Sequence, residues 1–334
     1  MPNHLISVVS PFFNEAPILE QSVALMMRNL HALKRDFELI IVNDGSRDGS
    51  GEVARGLVDA HGPNLRLVSY DVNQGRGYAL RKGIEAARGD IIVTTEIDSS
   101  WGDTIVGELV SALESDTALD LVVASPHAGP GAGYRNVPQK RVMLSRWGNH
   151  LIRLLFHERL TMYTGMTRGY RASVIKTLPL HEKGKEFHLE VVLKALALGC
   201  NIGEIPCVLE WRHHKLAKPG SAERKSSSKI RRLISSHLFF SVMASPIRYL
   251  WGIAGACTAL GLGTSAIGMA RMILGVLAFH WFLVGGVLLI LATLFFVFGV
   301  LASQNSLLQQ EIWRLQRDVR GLSQIAALNP SNDE

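Results

Sequence analysis

The sequence predicts an α/β domain built on a largely parallel sheet, followed by two membrane-crossing helices and a helical tail. Three observations predict it. Short β-branched runs alternate with amphipathic helical stretches in the N-terminal part of the chain, the order that lays parallel strands beneath crossover helices. Each run closes in a cluster of polar residues, and open α/β sheets bind ligands outside the carboxyl ends of their strands. From about Tyr249 to Met269 and from about Trp281 to Ala302 there is no charged residue, and each stretch is long enough to cross a bilayer core.

Taken in order, Leu5 to Ser10 is short, apolar and stopped by Pro11, so a strand feeds a loop carrying Phe12, Phe13, Asn14 and Glu15. Ile18 to Lys34 has helical spacing. Phe37 to Val42 repeats the strand and closes in Asn43-Asp44-Gly45-Ser46-Arg47-Asp48, and Gly51 to His61 is the next helix. Asn73-Gln74-Gly75-Arg76-Gly77-Tyr78-Ala79 opens a third helix, Tyr78 to Ala87, with two glycines that let backbone amides approach an anion. Ile91 to Thr95 is a buried strand closing in Glu96-Ile97-Asp98, and Phe187 to Leu198 is a later helix. Asn14, Glu15, Asp44, Asp48, Glu96 and Asp98 therefore share one rim.

A diphosphate at such a rim carries two negative charges, so carboxylates approach it through a divalent cation, which prefers hard oxygen ligands. Glu96 and Asp98, two apart at a strand end, are placed to share one.

The clusters Pro11-Phe12-Phe13-Asn14-Glu15, Asp44-Gly45-Ser46-Arg47-Asp48, Asn73 to Ala79 and Glu96-Ile97-Asp98 follow one another as in the family-two glycosyltransferases. More narrowly, the chain resembles the polyprenyl-phosphate sugar synthases, the group of dolichol-phosphate mannose synthase. The match continues through Arg141-Val142-Met143-Leu144-Ser145, Thr164-Gly165, Arg168-Gly169-Tyr170-Arg171-Ala172 and Phe187-His188-Leu189-Glu190, covering roughly the first 230 residues. The resemblance implies a Rossmann-like glycosyltransferase A-type (GT-A) catalytic domain. It implies a nucleotide-sugar (UDP- or GDP-) donor, a polyprenyl phosphate acceptor, a divalent cation (Mg2+ or Mn2+) and inversion at the sugar.

Residue by residue, the resemblance gives Pro11, Phe13, Asn14, Glu15, Asp44, Ser46, Asn73, Gly75, Gly77, Glu96, Ile97 and Asp98 to the nucleotide sugar. Glu96, Asp98 and Ser100 take the metal positions. Asp98, Glu190 and Arg171 fall at catalytic positions, with His188 as a lesser acid–base candidate. The chain departs from the family in carrying Glu96 where Asp is usual, Ser100 where a Gln-like ligand is usual, and Asn43 where the family repeats Asp. Arg141, Ser145, Arg168, Arg171 and Lys229 are the expected acceptor-phosphate contacts, since a guanidinium grips phosphate bidentately and stays charged. A phosphate monoester is already anionic at neutral pH, so its attack needs positioning more than a strong base.

Glu223 to Arg232 is strongly basic, and Ile230, Leu233, Ile234, Leu238 and Val242 recur at helical spacing. That reads as a helix lying on an anionic membrane surface. Gly252, Gly255, Gly261, Gly263 and Gly268 equip the first span for close packing in lipid. Basic residues before the first span and after the second, with only Arg271 between, place both ends in the cytoplasm by the positive-inside rule. Leu5 to Ser10 is too short for a signal peptide. Three scattered cysteines form neither a disulfide framework nor a zinc site. Lipid head groups and phosphate ligands account for the formal charge of +6, so no nucleic acid is needed.

Leu308, Ile312, Leu315, Val319, Leu322 and Ala326 form a heptad seam in the tail. It predicts self-association, with packing on the chain's own catalytic domain as the alternative. The expected organisation is a cytoplasmic catalytic domain over 1–225, a basic juxtamembrane helix over 226–246, a two-span hairpin over 247–302 in the inner (cytoplasmic) membrane, and a cytoplasmic tail over 303–334.

Parts of the sequence fit three other functions. Gly49-Ser50-Gly51-Glu52-Val53-Ala54 followed by Asp71 fits a dinucleotide fingerprint, but the Asp44–Asp48 cluster separates it from the strand end. Glu96 and Ser100 suggest a non-catalytic scaffold, which Asp98, Glu190 and the arginines oppose. A transferase acting on another membrane lipid or glycan is the nearest enzymatic alternative.

Overall fold

The computed structural model describes residues 4–156, 160–211 and 246–328. Lys229, and all but the last residue of the expected helix over 226–246, lie outside them. The chain forms two compact units, Met1–Arg224 with Trp313–Glu334, and Lys225–Ile312.

In the first unit, strand β1 (Ile6–Phe12) leads to helix α1 (Ala16–Ala32), β2 (Phe37–Asp44) to α2 (Ser50–His61), and β3 (Leu65–Tyr70) to α3 (Arg76–Ala86). Then come β4 (Ile91–Thr94), α4 (Ile105–Ser115), β5 (Leu121–Ser125), β6 (Gly133–Arg135), α5 (Gln139–Phe156), β7 (Arg168–Arg171), the single turn α6 (Ala172–Ile175), α7 (Phe187–Ala197), β8 (Ile202–Pro206) and β9 (Val208–Glu210). The main sheet has the order β3-β2-β1-β4-β7-β5-β8. All its pairs are parallel except those of β7, which runs antiparallel to β4 and β5. A parallel pair, β6 and β9, forms a separate small sheet.

Alternation along the central strands divides the core. Ile6, Val8, Leu39, Ile41, Ile91 and Val93 face α1, α2 and α4 through Leu19, Val23, Ala54 and Leu109. Val9, Ile40, Val42 and Ile92 face α3 and α7 through Ala79, Leu80, Ile84, Phe187 and Val191. Burial on both faces explains why the strands read as continuous apolar runs. The chain winds outward through β1, β2 and β3, then returns to place β4 on the other side of β1. The switch point between β1 and β4 opens the crevice where such sheets bind ligands.

In the second unit, α8 (Pro246–Ile273) ends in a left-handed Gly275, with the Val276 amide reaching the Arg271 carbonyl, a Schellman stop. It packs closely on the start of α9 (Phe279–Leu328): a Cβ on Gly285 would fall 2.2 Å from Ser265 Oγ and 2.9 Å from the Gly261 carbonyl. Both helices are long and apolar enough to cross a membrane, over Tyr249–Ile273 and within Phe279–Leu322. The tail is not a separate helix. No Gly or Pro occurs from residue 300 to 320, so α9 runs unbroken for 50 residues, about 75 Å at 1.5 Å per residue.

From Trp313 onward α9 belongs to the first unit, and the stripe that docks differs from the heptad seam. Lys194 Nζ lies 5.2 Å from the Trp313 ring centroid, and Arg320 donates to the Leu178 carbonyl at 2.7 Å. Leu315, Val319 and Leu322 remain exposed.

Candidate active site

The first two rim loops are latched to each other. Asn14 sits in the left-handed region with φ 55°; its amide donates to Ser46 Oγ at 3.0 Å and its Oδ1 accepts the Arg47 amide at 2.9 Å. Glu15 N donates to Ser50 Oγ, and Ala16 N to Asp48 Oδ2. Burial pushes Asp48 up, but donors from Ser50 and the Ala16 amide outweigh it and hold the carboxyl below the usual range. Phe13 projects from this rim, 43% exposed.

Asp44, at the end of β2, is the hub of the next loop. Its carboxylate accepts from Tyr70 OH (2.8 Å), Asn73 Nδ2 (2.9 Å), Gln74 N (2.9 Å) and Gly75 N (3.1 Å). Burial and Asp44 together raise the Tyr70 phenol, so it stays a donor. The glycines correct the expectation of an anion cradle. Gly77 N and Tyr78 N both donate to the Lys183 carbonyl, at 2.7 and 3.2 Å, so these amides are already engaged. Gly75, at φ 102°, would place a Cβ 2.5 Å from that carbonyl, and Gly77 would clash with Glu182 O, Gly184 O and Phe187 Cβ at 2.7 Å. Glycine is required here because the segment 182–184 lies against the loop.

Glu190, expected at a catalytic position, is 5% exposed and supports that segment. It accepts from the amides of His181 (2.9 Å) and Glu182 (2.9 Å) and pairs with Lys194 at 2.7 Å. His188 is buried, and both ring nitrogens lack a hydrogen-bond partner among the described residues. Burial, then Arg168, Arg76 and Lys185, drive its pKa well below the ordinary value. That direction favours the neutral ring.

Glu96 and Asp98 leave the end of β4 beside the switch point. Glu96 lies 3.8 Å from Arg76 Nη1, a cation that the glycine-rich loop carries and that sequence reading passed over. Asp98 Oδ1 accepts the Ser100 amide (3.1 Å) and hydroxyl (2.5 Å). Two expectations are corrected here. Ser100 is fully buried and orients Asp98 instead of offering its oxygen to an ion. Ile97 belongs to the hydrophobic core and not to the nucleotide site. No group of three or more His, Cys, Asp or Glu side chains converges among the described residues. Two carboxylates nonetheless suit a cation that completes its shell with substrate phosphates and water.

The basic residues separate sharply. Arg168 is 0% exposed and donates to the carbonyls of His188 (2.8 Å) and Tyr163 (2.7 Å), so it knits α7 to the sheet, buried away from the surface where an acceptor phosphate would arrive. Arg171 pairs in register with Ile91 at the opposite, amino-terminal end of β4. It donates to the carbonyls of Leu119 and Leu113, both at 2.7 Å, which excludes the catalytic and acceptor roles expected of it.

Arg141 and Ser145 stand one turn apart on α5, and the Arg141 guanidinium lies 4.8 Å from the Trp211 ring centroid. Ser145 Oγ accepts from Tyr134 OH at 3.0 Å, with His127 Nε2 3.4 Å away. Beside them a cavity of ≈ 900 Å³ is lined by His127, Lys140, Met143, Leu144, Arg146, Trp147 and others. Met143 and Trp147 are exposed, at 70% and 63%. The apolar residues Met143, Leu144 and Trp147, interleaved with Lys140, Arg141 and Arg146, are the signal on this helix by which the sequence alone marks the groove.

Residues 7–178 match the glycosyl transferase family 2 domain. The chain is 30% identical over 285 residues to a dodecaprenyl-phosphate galacturonate synthase of Rhizobium johnstonii, covering 84% of this chain and 78% of that protein. It is 26% identical over 317 residues to an undecaprenyl-phosphate 4-deoxy-4-formamido-L-arabinose transferase of Edwardsiella ictaluri, covering 94% and 90%. A polyprenol monophosphomannose synthase of Mycolicibacterium smegmatis is 26% identical over 236 residues, covering 69% and 86%. Among solved structures, glucosyl-3-phosphoglycerate synthase from Mycobacterium tuberculosis, in complex with Mn2+, UDP and phosphoglyceric acid, superposes with a TM-score of 0.51 at 21% identity, covering 70% of this chain and 78% of that one. That last likeness is one of fold.

Proposed function

The chain belongs to glycosyl transferase family 2, and on that footing we propose that this glycosyltransferase moves a sugar from a nucleotide sugar to a polyprenyl phosphate at the cytoplasmic face of the inner membrane. One observation carries the reading: Glu96 and Asp98 stand together at the β1–β4 switch point, in a chain whose curated relatives act on polyprenyl phosphates.

Glu96 and Asp98 would hold the divalent cation, Mg2+ or Mn2+, which supplies charge neutralisation for the leaving diphosphate. The rim loops fix the nucleotide, with Asn14, Asp44 and Asp48 acting through the loops they order. Arg76, beside Glu96, adds positive charge where the leaving group develops its negative charge. An acceptor phosphate brings its own anionic oxygen, so the engagement of Glu190 and the neutrality of His188 are no obstacle to attack. Arg141 and Ser145 receive that phosphate, and the groove along α5 takes the first isoprene units.

The test uses inverted membrane vesicles, right-side-out vesicles and purified protein, each given labelled UDP- and GDP-sugars with a short polyprenyl phosphate, and weighs the lipid product. Transfer by the purified protein and in inverted but not right-side-out vesicles is expected, because the donor does not cross lipid. No lipid-linked product with any donor would overturn the reading; product only in right-side-out vesicles would overturn the orientation.

In the same assay Arg141→Lys should raise the acceptor KM about tenfold, since charge survives and bidentate geometry does not. The donor KM should stay within twofold. An unchanged acceptor KM would remove Arg141 from the acceptor site.

A further inference from the structure

The C-terminal end of α9 touches the catalytic unit at the segment that shapes the donor loop. Arg320 donates to the Leu178 carbonyl at 2.7 Å. The Trp313 ring receives the Lys194 ammonium at 5.2 Å. That ammonium also donates to the Pro179 carbonyl and pairs with Glu190 at 2.7 Å. Glu190 in turn fixes the amides of His181 and Glu182, and the next residue, Lys183, presents the carbonyl that accepts Gly77 N and Tyr78 N. Arg81 ties Leu180 to α3 at 3.0 Å, and Lys183 Nζ reaches Gln74 Oε1 at 3.3 Å. Every link from the tail to residues 74–78 is a side-chain or backbone contact between described residues.

The tail face is chosen for this contact. Trp313, Arg317 and Arg320 follow at intervals of four and three and are partly covered, whereas Leu315, Val319 and Leu322 on the other face are exposed. A helix merely burying apolar surface would have turned the leucine stripe inward. Instead, the covered stripe carries an aromatic ring and cations that meet an ammonium and a backbone carbonyl.

We propose that the tail is a strap for the donor site, with Trp313 and Arg320 as positioning residues that act through Lys194, Glu190 and the 178–184 segment. The inference rests on reading the Asp44–Gly77 loop as the nucleotide-sugar site. Donor affinity then depends on residues more than a hundred positions away in sequence, and acceptor affinity does not.

The test compares the full-length protein with Arg320→Ala, Trp313→Ala and the exposed-face control Leu322→Ala. Hydrogen–deuterium exchange is followed over 74–80 and 178–186, alongside KM for each substrate and kcat. The expected result is faster exchange in both segments for Arg320→Ala and Trp313→Ala. Donor KM should rise about tenfold, the size of one lost charge-assisted hydrogen bond, with kcat and acceptor KM within twofold. Arg320→Lys, which can still donate to Leu178, should recover most of the loss, and Leu322→Ala should behave as wild type. Unchanged exchange in both segments would overturn the strap, as would altered exchange with an unchanged donor KM, or loosening of the whole domain with both substrates affected equally. If the parent transfers no sugar at all, the donor reading falls separately, while local loosening would still establish the mechanical link.

Discussion

Asp98→Asn is expected to lower transfer by roughly 10³-fold or more while leaving the domain folded. The two halves of that expectation have different origins. Asn keeps an oxygen where Asp98 Oδ1 accepts the Ser100 amide and hydroxyl, so the turn after β4 keeps its closing bonds. What disappears is a negative charge on a residue that is 8% exposed, and with it half of the carboxylate pair proposed to hold the cation. Glu96 alone, shared with Arg76 at 3.8 Å, is a poor substitute because the guanidinium competes for it. The measurement is a kcat determination with parallel thermal melts and a Mn2+ titration in the presence of nucleotide. A midpoint within about 2 °C, lost metal coupling and lost turnover together support the assignment. Chelator-insensitive turnover of the parent, or full activity in the variant, would sink it.

The carboxylate rim was legible because a parallel sheet forces the ends of its strands to one side. Once β1, β2 and β4 are read as parallel strands, Asn14, Asp44, Glu96 and Asp98 have no choice of edge. The arginines show where that logic stops. Arg168 and Arg171 lie three apart in a strand, and β7 runs against its neighbours. Nothing in the motif reveals that reversal, which buries one end at the rim and carries the other to the far edge. Ile97 falls outside that logic too: β4 ends at Thr94, and the turn that follows folds the Ile97 side chain back into the hydrophobic core.

Glu190 had a readable local signal in its spacing. Lys194 follows four residues later on the same helix, the arrangement of an ion pair along one face, and the pair is buried at 2.7 Å. A carboxylate so committed supports structure before it supports chemistry. The continuity of α9 was equally readable from the missing Gly and Pro between 300 and 320. The docking of Trp313 and Arg320 was not, because it depends on a carbonyl and an ammonium exposed by a distant turn. The dinucleotide fingerprint fails on geometry as well as family: Gly49 caps α2 five residues beyond the end of β2, so its glycines do not form the tight turn at a strand end that the fingerprint requires.

Arg168→Met is expected to unfold the domain more easily and to leave acceptor recognition alone, the reverse of what a phosphate-binding arginine would do. Its guanidinium is wholly buried, and burial lowers its pKa, so water contributes nothing to holding the charge in place. The holding is done by the carbonyls of His188 and Tyr163 at 2.8 and 2.7 Å. Methionine fills much of the same volume but donates to neither, so two buried hydrogen bonds from a charged donor are lost at about 1.5–3 kcal/mol each. Relief of the buried charge offsets part of this, and a net loss of about 3 kcal/mol is expected. For a domain of this size that is roughly 6–12 °C in Tm. Lysine, compact and with no planar fork, cannot reach both carbonyls in one geometry, so Arg168→Lys should recover less than half of the loss. Melting curves for the three proteins, with acceptor KM measured well below the lowest midpoint, decide the matter. A wild-type Tm combined with a raised acceptor KM would return Arg168 to the acceptor site. A lowered Tm with unchanged KM places it where its hydrogen bonds already do, joining the start of α7 and the Tyr163 turn to the interior strand β7 at the rim of the sheet.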